Sequence, residues 1–331
     1  MRSEKCQVKS KKWVWWFVIW GMAVLLLWLV VRRVPLDAVV QVVARLQSWQ
    51  LVILVILNGL VLLALNGRWW LLLRGLGYEL PFWLLLGHRL AAFGVSYFTP
   101  GPHFGGEPVQ VLLVERQHGV PRSAAVAAVS LDKTVELLLN FGFLALGVML
   151  VLQTGLFGAA LAGGTAVWLL LLLLLPSVYL WLIWQGRRPV TRLLRWLKID
   201  RLATAVCHSE AQMNTLCQQN PGALLAAIGI SGLSWELMII EFYLMVSFLG
   251  VSLTLVQLIA LLTAARVAYL LPLPGGLGTL EASQVWALSL MGFNPAVGIG
   301  LSLLIRLRDV TLGLLGLWWA GQRLRLVWLR P

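Results

Sequence analysis

Prolines and glycines interrupt long apolar stretches at two places in this chain, and a glutamate closes each interruption. Tyr97-Phe98-Thr99-Pro100-Gly101-Pro102-His103-Phe104-Gly105-Gly106-Glu107 is the first. Tyr269-Leu270-Leu271-Pro272-Leu273-Pro274-Gly275-Gly276-Leu277-Gly278-Thr279-Leu280-Glu281 is the second. Backbone that cannot continue a helix is tolerated inside a bilayer only where protein buries it or it lines a wet cavity. Two such breaks in corresponding positions of two halves point to a substrate path between the halves. The background is a membrane one: 60% of the 331 residues are hydrophobic and 12% charged, too few polar groups to cover a soluble domain.

Apolar stretches recur at 13–31, 51–65, 124–152, 159–184, 224–249 and 296–320. The first follows Arg2, Lys5, Lys9, Lys11 and Lys12 and runs into Arg32-Arg33 without a small-residue cleavage pattern, so it reads as an uncleaved anchor. Basic residues collect beside these stretches on one side. With the N-terminal tail in the cytoplasm, Arg68, Arg74, Arg89, Arg116 and Arg122 also fall there, followed by the run from Arg187 to Arg201 and by Arg323, Arg325 and Arg330. Arg32, Arg33, Arg45 and Arg266 remain on the far side, and Lys133, Arg306 and Arg308 within spans. This imbalance predicts six crossings with both termini cytoplasmic. It also explains the net charge of +13 without a nucleic-acid partner.

Residues 82–118 and 252–292 are each two short apolar helices around a Pro/Gly break, too short to cross singly. They read as re-entrant hairpins, one entered from each side. The expected fold is therefore all-α and integral to the membrane, with about six full transmembrane helices plus two re-entrant hairpins in an inverted repeat. The breaks begin at Tyr97 and Tyr269, 172 positions apart, and a glycine and a proline restart the chain after each hairpin (Gly119 and Pro121, Gly292 and Pro295). Four segments follow. Residues 1–49 hold the basic tail, anchor and an interfacial piece; 50–152 are the first repeat. Residues 153–221 hold a transmembrane helix and an amphipathic cytoplasmic linker with Arg192, Arg195, Lys198 and Arg201; 222–331 are the second repeat and basic tail.

Ionisable groups at membrane depth are costly and usually functional. Glu107, with Pro108 opening a helix, and Glu281, with Thr279 able to cap one, stand at helix starts where free N–H groups suit a phosphate or carboxylate. Gly275 and Gly276 permit close backbone approach. Asp132 and Glu136, four apart, share a face of one helix, with Lys133 three before Glu136, and Arg306 and Asp309 are three apart on another. Glu236, Glu241 and Arg308 add further charges. The expected arrangement is a polar cavity in which Arg266, Arg306 and Lys133 meet a lipid phosphate, or else internal salt bridges, or both.

Cys6, Cys207 and Cys217 lack CxxC spacing, and the four histidines are too scattered for a metal cluster, so no metal, cofactor or disulfide framework is expected. No P-loop, HExxH or GxSxG pattern occurs, and Gly276-Leu277-Gly278 has neither the preceding strand nor the third glycine of a dinucleotide site. No catalytic residue is assigned. A membrane-embedded enzyme acting on lipid headgroups, with Glu107 or Asp132 as base, and a non-transporting partner of a lipid-modifying enzyme are the alternatives to a transporter.

Pro100-Gly101-Pro102 with Gly105-Gly106-Glu107, Pro272-Leu273-Pro274-Gly275-Gly276-Leu277-Gly278 with Glu281, Asp132-Lys133-x-x-Glu136 and Arg306 together resemble the flippase-like transmembrane domain of lysylphosphatidylglycerol synthases and its stand-alone relatives. The resemblance spans about residues 10–325. Gln110 stands where the family often has arginine, and Asp132-Lys133 where it usually has Glu-Arg. Members fused to an aminoacyl-transferase domain make the lipid they move; this chain has no residues for that domain, so the resemblance implies translocation without synthesis. It implies as substrate an anionic or phosphate-bearing lipid, (glyco)phospholipid or polyprenyl or hopanoid type. A homo-oligomer and a lipid-modifying enzyme remain open as partners.

Overall fold

The computed structural model describes residue 28 and residues 36–99, 105–154, 164–271 and 273–328. The expected anchor at 13–31 and the tip of the first break, 100–104, lie outside them apart from Trp28. Among the described residues there are twelve α-helices, one 3₁₀ turn and no strand. They are α1 (Leu36–Val43), α2 (Ser48–Gly75), α3 (Phe82–Phe98), α4 (Glu107–His118), α5 (Arg122–Thr154), α6 (Gly164–Trp184), α7 (Pro189–Trp196), α8 (Asp200–Gln219), α9 (Pro221–Phe248), α10 (Leu255–Leu270), α11 (Thr279–Leu290) and α12 (Pro295–Trp328). Three are long and apolar enough to cross a membrane: Ser48–Gly75, Arg122–Gln153 and Pro221–Phe248. The 34 residues of α12 extend about 50 Å, but Arg306, Arg308 and Asp309 interrupt their apolar character.

Helices α2 to α5 run 28, 17, 12 and 33 residues. Helices α9 to α12 run 28, 16, 12 and 34 in the same order. In each series the two middle helices, at about 1.5 Å per residue, fall short of a hydrocarbon core about 30 Å thick. They are separated by the Pro/Gly breaks. Gly119, left-handed at φ 66°, ends α4, and Gly292 at φ 80° follows α11.

The two series embrace each other. α2 packs along α9, α3 along α12, and α10 against α5. Along the first pair residue numbers rise in one helix as they fall in the other. The Asn58 amide donates to Glu241 at 3.4 Å, Arg68 to Ser231 at 3.2 Å, and a Cβ on Gly75 would stand 2.9 Å from that of Ala223. The pair is antiparallel, and Asn58 and Ser231 are each eleventh in their helix, Arg68 and Glu241 each twenty-first. Each series keeps its own apolar core: Trp69, Leu73, Leu85, Val114 and Ala124 in one, Val246, Leu261, Leu280, Leu288 and Leu301 in the other.

Where α3 crosses α12, no side chains separate the backbones. A Cβ on Gly94 would lie 2.5 Å from the Gly313 carbonyl oxygen, and one on Gly316 1.9 Å from that of Leu90. Lipid tails are as apolar as leucine, so close backbone packing of small residues is what holds helices together in a bilayer.

The basic linker forms two helices, where the spacing of Arg192, Arg195, Lys198 and Arg201 predicts one. Lys198, at φ 58°, turns the chain between them. Glu210 of α8 then accepts the Val190 and Thr191 N–H groups at 2.9 and 3.1 Å, satisfying the open start of α7. Leu193, Trp196 and Leu197 are exposed among the arginines, as at a headgroup surface. Nearby, burial pushes the Cys217 thiol up to about 11, which makes it unreactive at neutral pH.

A methyl group on Gly316, 1.9 Å from the Leu90 oxygen, has to force the α3–α12 crossing apart. Gly316→Ala should lower stability by about 1–3 kcal/mol, read as a lower unfolding temperature of the purified protein in detergent. Gly59→Ala meets nothing within 4 Å and should leave that temperature unchanged or slightly raised. Equal stability of the two variants would contradict the close crossing.

Candidate functional site

Between the two series lies a cavity of about 580 Å³, walled by α2, α3, α4, α5, α9, α10 and α12. Its apolar lining includes Leu62, Phe93, Phe141, Trp235, Phe242 and Leu312. Its polar lining is a set of charges brought from all seven of these helices.

Asp132 of α5 is buried and held by two arginines. Arg68 of α2, 2% exposed, donates from Nε to Asp132 Oδ1 at 2.6 Å and from Nη2 to Glu136 Oε2 at 3.2 Å. Arg89 of α3 reaches Asp132 Oδ2 at 3.3 Å. One helical turn holds the other pair: Lys133 Nζ lies 2.8 Å from Glu136 Oε1 and 3.4 Å from Glu107 Oε1 at the start of α4. Across the cavity Arg308 bridges Glu241 of α9 at 3.1 Å and its neighbour Asp309 at 2.9 Å. Such pairs exist because an unpaired charge in this setting is expensive to desolvate.

Arg266 of α10 is held differently. Its guanidinium carbon sits 4.5 Å above the Trp235 ring, which itself lies against Phe143 with centroids 4.8 Å apart. Its Nη2 is 4.0 Å from Met238 Sδ, a weak acceptor.

Arg306, Glu281, Gly275 and Gly276 form a second cluster, outside the cavity lining. Arg306 Nε donates to Glu281 Oε1 at 2.9 Å, Nη2 to the Gly276 carbonyl at 2.8 Å, and Nη1 to the Tyr97 hydroxyl at 3.2 Å and to the Gly275 carbonyl. Glu281 Oε2 accepts the Gly278 N–H at 2.8 Å, the glutamate half of a capping box whose N-cap glycine has no side chain to return a bond. Gly275 and Gly276 are left-handed, at φ 52° and 64°, and their turned carbonyls both point at Arg306. Arg306 thereby staples the second break to the end of α3, where the first break begins.

Lys133 and Arg306 are each twelfth in their helix, and each reaches a glutamate at the start of the short helix before it. The lysine side opens into the cavity, with Lys133 22% and Glu107 25% exposed; the arginine side is closed, with Arg306 12% and Glu281 7% exposed.

Of the residues singled out by sequence, Glu107, Asp132, Lys133, Glu136, Arg266 and Asp309 meet around the cavity, and Gly275, Gly276, Glu281 and Arg306 meet in the staple. Two local readings change. Thr279 is the first helical residue, not the cap, and its hydroxyl donates to the Gly276 and Ala268 carbonyls at 3.0 and 3.2 Å. Pro108 follows Glu107, which opens α4 and accepts the Gly105 N–H at 2.8 Å. The Gly105 and Gly278 N–H groups are thus engaged from within, as is that of Gly106, which donates to Ser96 Oγ at 2.8 Å.

Arg68 and Arg89 stand among the flanking charges by sequence position, yet both line the cavity beside Arg266. The one sequence signal for Arg68 is its place inside an apolar helical run, followed by Trp69-Trp70-Leu71-Leu72-Leu73. His88 and His118, thirty positions apart, also meet, with Nε2 atoms 3.3 Å apart between α3 and α4.

Replacing Arg68 with Met strips Asp132 and Glu136 of a shared partner in a buried place. The expected loss is about 3–5 kcal/mol, seen as a large fall in unfolding temperature, with partial recovery in Arg68→Lys. An Arg68→Met protein as stable as the parent would show that the group is not buried as described.

Comparison with known proteins follows this geometry. The family model for the lysylphosphatidylglycerol synthase transmembrane region matches residues 14–316. A UPF0104 membrane protein from Methanothermobacter thermautotrophicus is 22% identical over 274 residues, covering 76% of this chain and 79% of its own. No solved structure matches the chain. With nearly its full length under that model, the chain belongs to the family of the lysylphosphatidylglycerol synthase transmembrane region.

Proposed function

We propose that this protein is a lipid translocator, carrying a phosphate-bearing headgroup through the central cavity while the acyl chains stay in the bilayer. The observation that carries the reading is the cavity itself. A space of about 580 Å³, with charged groups on some walls and Trp, Phe and Leu on others, matches an amphipathic ligand. The two helix series then act as inverted repeats, entered from opposite sides in an N-in, C-in topology of six crossings and two re-entrant hairpins at the inner membrane. Their antiparallel α2–α9 contact is the packing such a relation requires.

The staple and its open counterpart suit alternating access. One glutamate–cation pair is closed around Arg306 while the equivalent pair at Lys133 faces the cavity. Exchange of these two states would expose the cavity to one leaflet and then the other, with Asp132 and Glu136 tuning the charge or carrying a proton. An enzyme fits less well, because every carboxylate lining the cavity is engaged by a Lys or Arg within 3.4 Å, leaving none poised as a general base.

The test is leaflet accessibility of a fluorescent phospholipid in liposomes. Inner-leaflet probe should become accessible to a membrane-impermeant quencher in vesicles holding the purified protein, and not in empty ones. Arg306→Ala and Glu281→Ala should insert yet slow exchange at least tenfold. No acceleration by the parent protein for any phospholipid tried would reject translocation; acceleration unaffected by both variants would reject the role given to the staple.

A further inference from the structure

Five Lys or Arg and five Asp or Glu side chains line the cavity among the described residues, so its formal charge is zero. The carboxylates are all taken: each has a cation within 3.4 Å. Four of the cations are taken too. Arg266 alone has no carboxylate within 4.0 Å among the described residues. Trp235 covers one face of its guanidinium, and Nη2 lies 4.0 Å from the Met238 thioether. The planar edge of an arginine, with N–H groups in a fork, fits two oxygens of a phosphate. Arg89 adds a buried Nη1 with no hydrogen-bond partner.

A phosphate seated on Arg266 therefore needs no existing ion pair to break. It would, however, bring a neutral cavity to a charge of −1, in a place where uncompensated charge is expensive. A headgroup carrying its own cation removes that penalty. The two carboxylates best placed to receive it are Glu107 and Glu136, whose side chains are 25% and 38% exposed, against 8% or less for Asp132, Glu241 and Asp309.

We propose that the cavity selects a zwitterionic headgroup, with its phosphate on Arg266 and its ammonium toward Glu136 and Glu107. This rests on the reading of the cavity as a headgroup site. It adds a preference for net-neutral over net-anionic lipids, and it names Arg266 as the anion anchor.

Binding tests it independently of transport. Purified protein in a non-ionic detergent is titrated with dihexanoylphosphatidylethanolamine and with dihexanoylphosphatidylglycerol, below their micelle concentrations, and affinity is read from fluorescence or thermal shift. The parent protein should bind the ethanolamine lipid at least tenfold tighter. Arg266→Gln should weaken both lipids at least tenfold. Glu136→Gln, which makes the cavity +1 while Asp132 and Glu107 keep Arg68 and Lys133 paired, should reverse the order and favour the glycerol lipid. The inference is overturned if the parent binds the glycerol lipid as well or better, if neither lipid binds, or if Glu136→Gln leaves the order unchanged. Tight, selective binding without leaflet exchange would instead reject translocation and leave the headgroup assignment standing.

Discussion

A charge within a low-dielectric span is costly without an opposite, and in this protein the pairing of such charges fixes how the helices of each series sit against one another. At about 3 Å and an effective dielectric near 20, a unit pair attracts by about 5 kcal/mol, much of it offset by desolvation. What remains is mostly direction. Arg68 ties α2 to α5, Arg89 ties α3 to the same aspartate, Arg308 ties α12 to α9, and Lys133 ties α5 to α4. Each ties two elements that apolar packing alone would let slide. Pairing of this kind sets register where leucine against leucine, or leucine against lipid, offers little discrimination.

Close packing supplies the cohesion that these pairs orient. Glycines place α3 directly on the backbone of α12, and Gly106 lies so near the Ala92 carbonyl that a Cβ would fall 1.9 Å from its oxygen. The start of α4 is thus pressed onto α3, and the Gly105 and Gly106 N–H groups find partners there instead of facing lipid. Arg306 does the same for the second break by collecting the carbonyls that the left-handed glycines turn inward. Among the described residues, a serine and a glutamate take the Gly105 and Gly106 N–H groups of one break, and an arginine and a glutamate take the Gly275 and Gly276 carbonyls and the Gly278 N–H of the other.

The sequence made the helices and their interruptions legible because both are local signals. Apolar runs bounded by Pro and Gly mark element ends wherever they occur, and the hairpins at 82–118 and 252–292 resolve into the paired short helices α3–α4 and α10–α11. The acidic-basic pattern at Asp132, Lys133 and Glu136 was legible for the same reason, since helical spacing puts those residues on adjoining faces. Arg68 was not. An arginine beside two tryptophans near the end of an apolar run looks like an interfacial anchor, and its partners lie sixty-four and sixty-eight positions on. The cap at Gly278 was hidden likewise: Thr279 has the right chemistry for a cap, but the left-handed turn before it moves the helix start by one residue. The split of the linker into α7 and α8 depends on Glu210 reaching back across the turn, which no periodicity records.

The contacts between the two helix series are exchanged: α3 rests on α12, and α10 rests on α5. Each series thus lends its broken hairpin to the long helix of the other, as two clasped hands interlock fingers. Cutting the chain in the linker would separate the sequence but not the architecture. Either piece alone would bare the glycine-lined face of its long helix and lose the hydrogen bonds that Asn58, Arg68 and Tyr97 make with its counterpart. The smallest unit able to fold is therefore the interlocked pair, and a single four-helix series of this kind could stand only by clasping a second copy of itself in the opposite orientation.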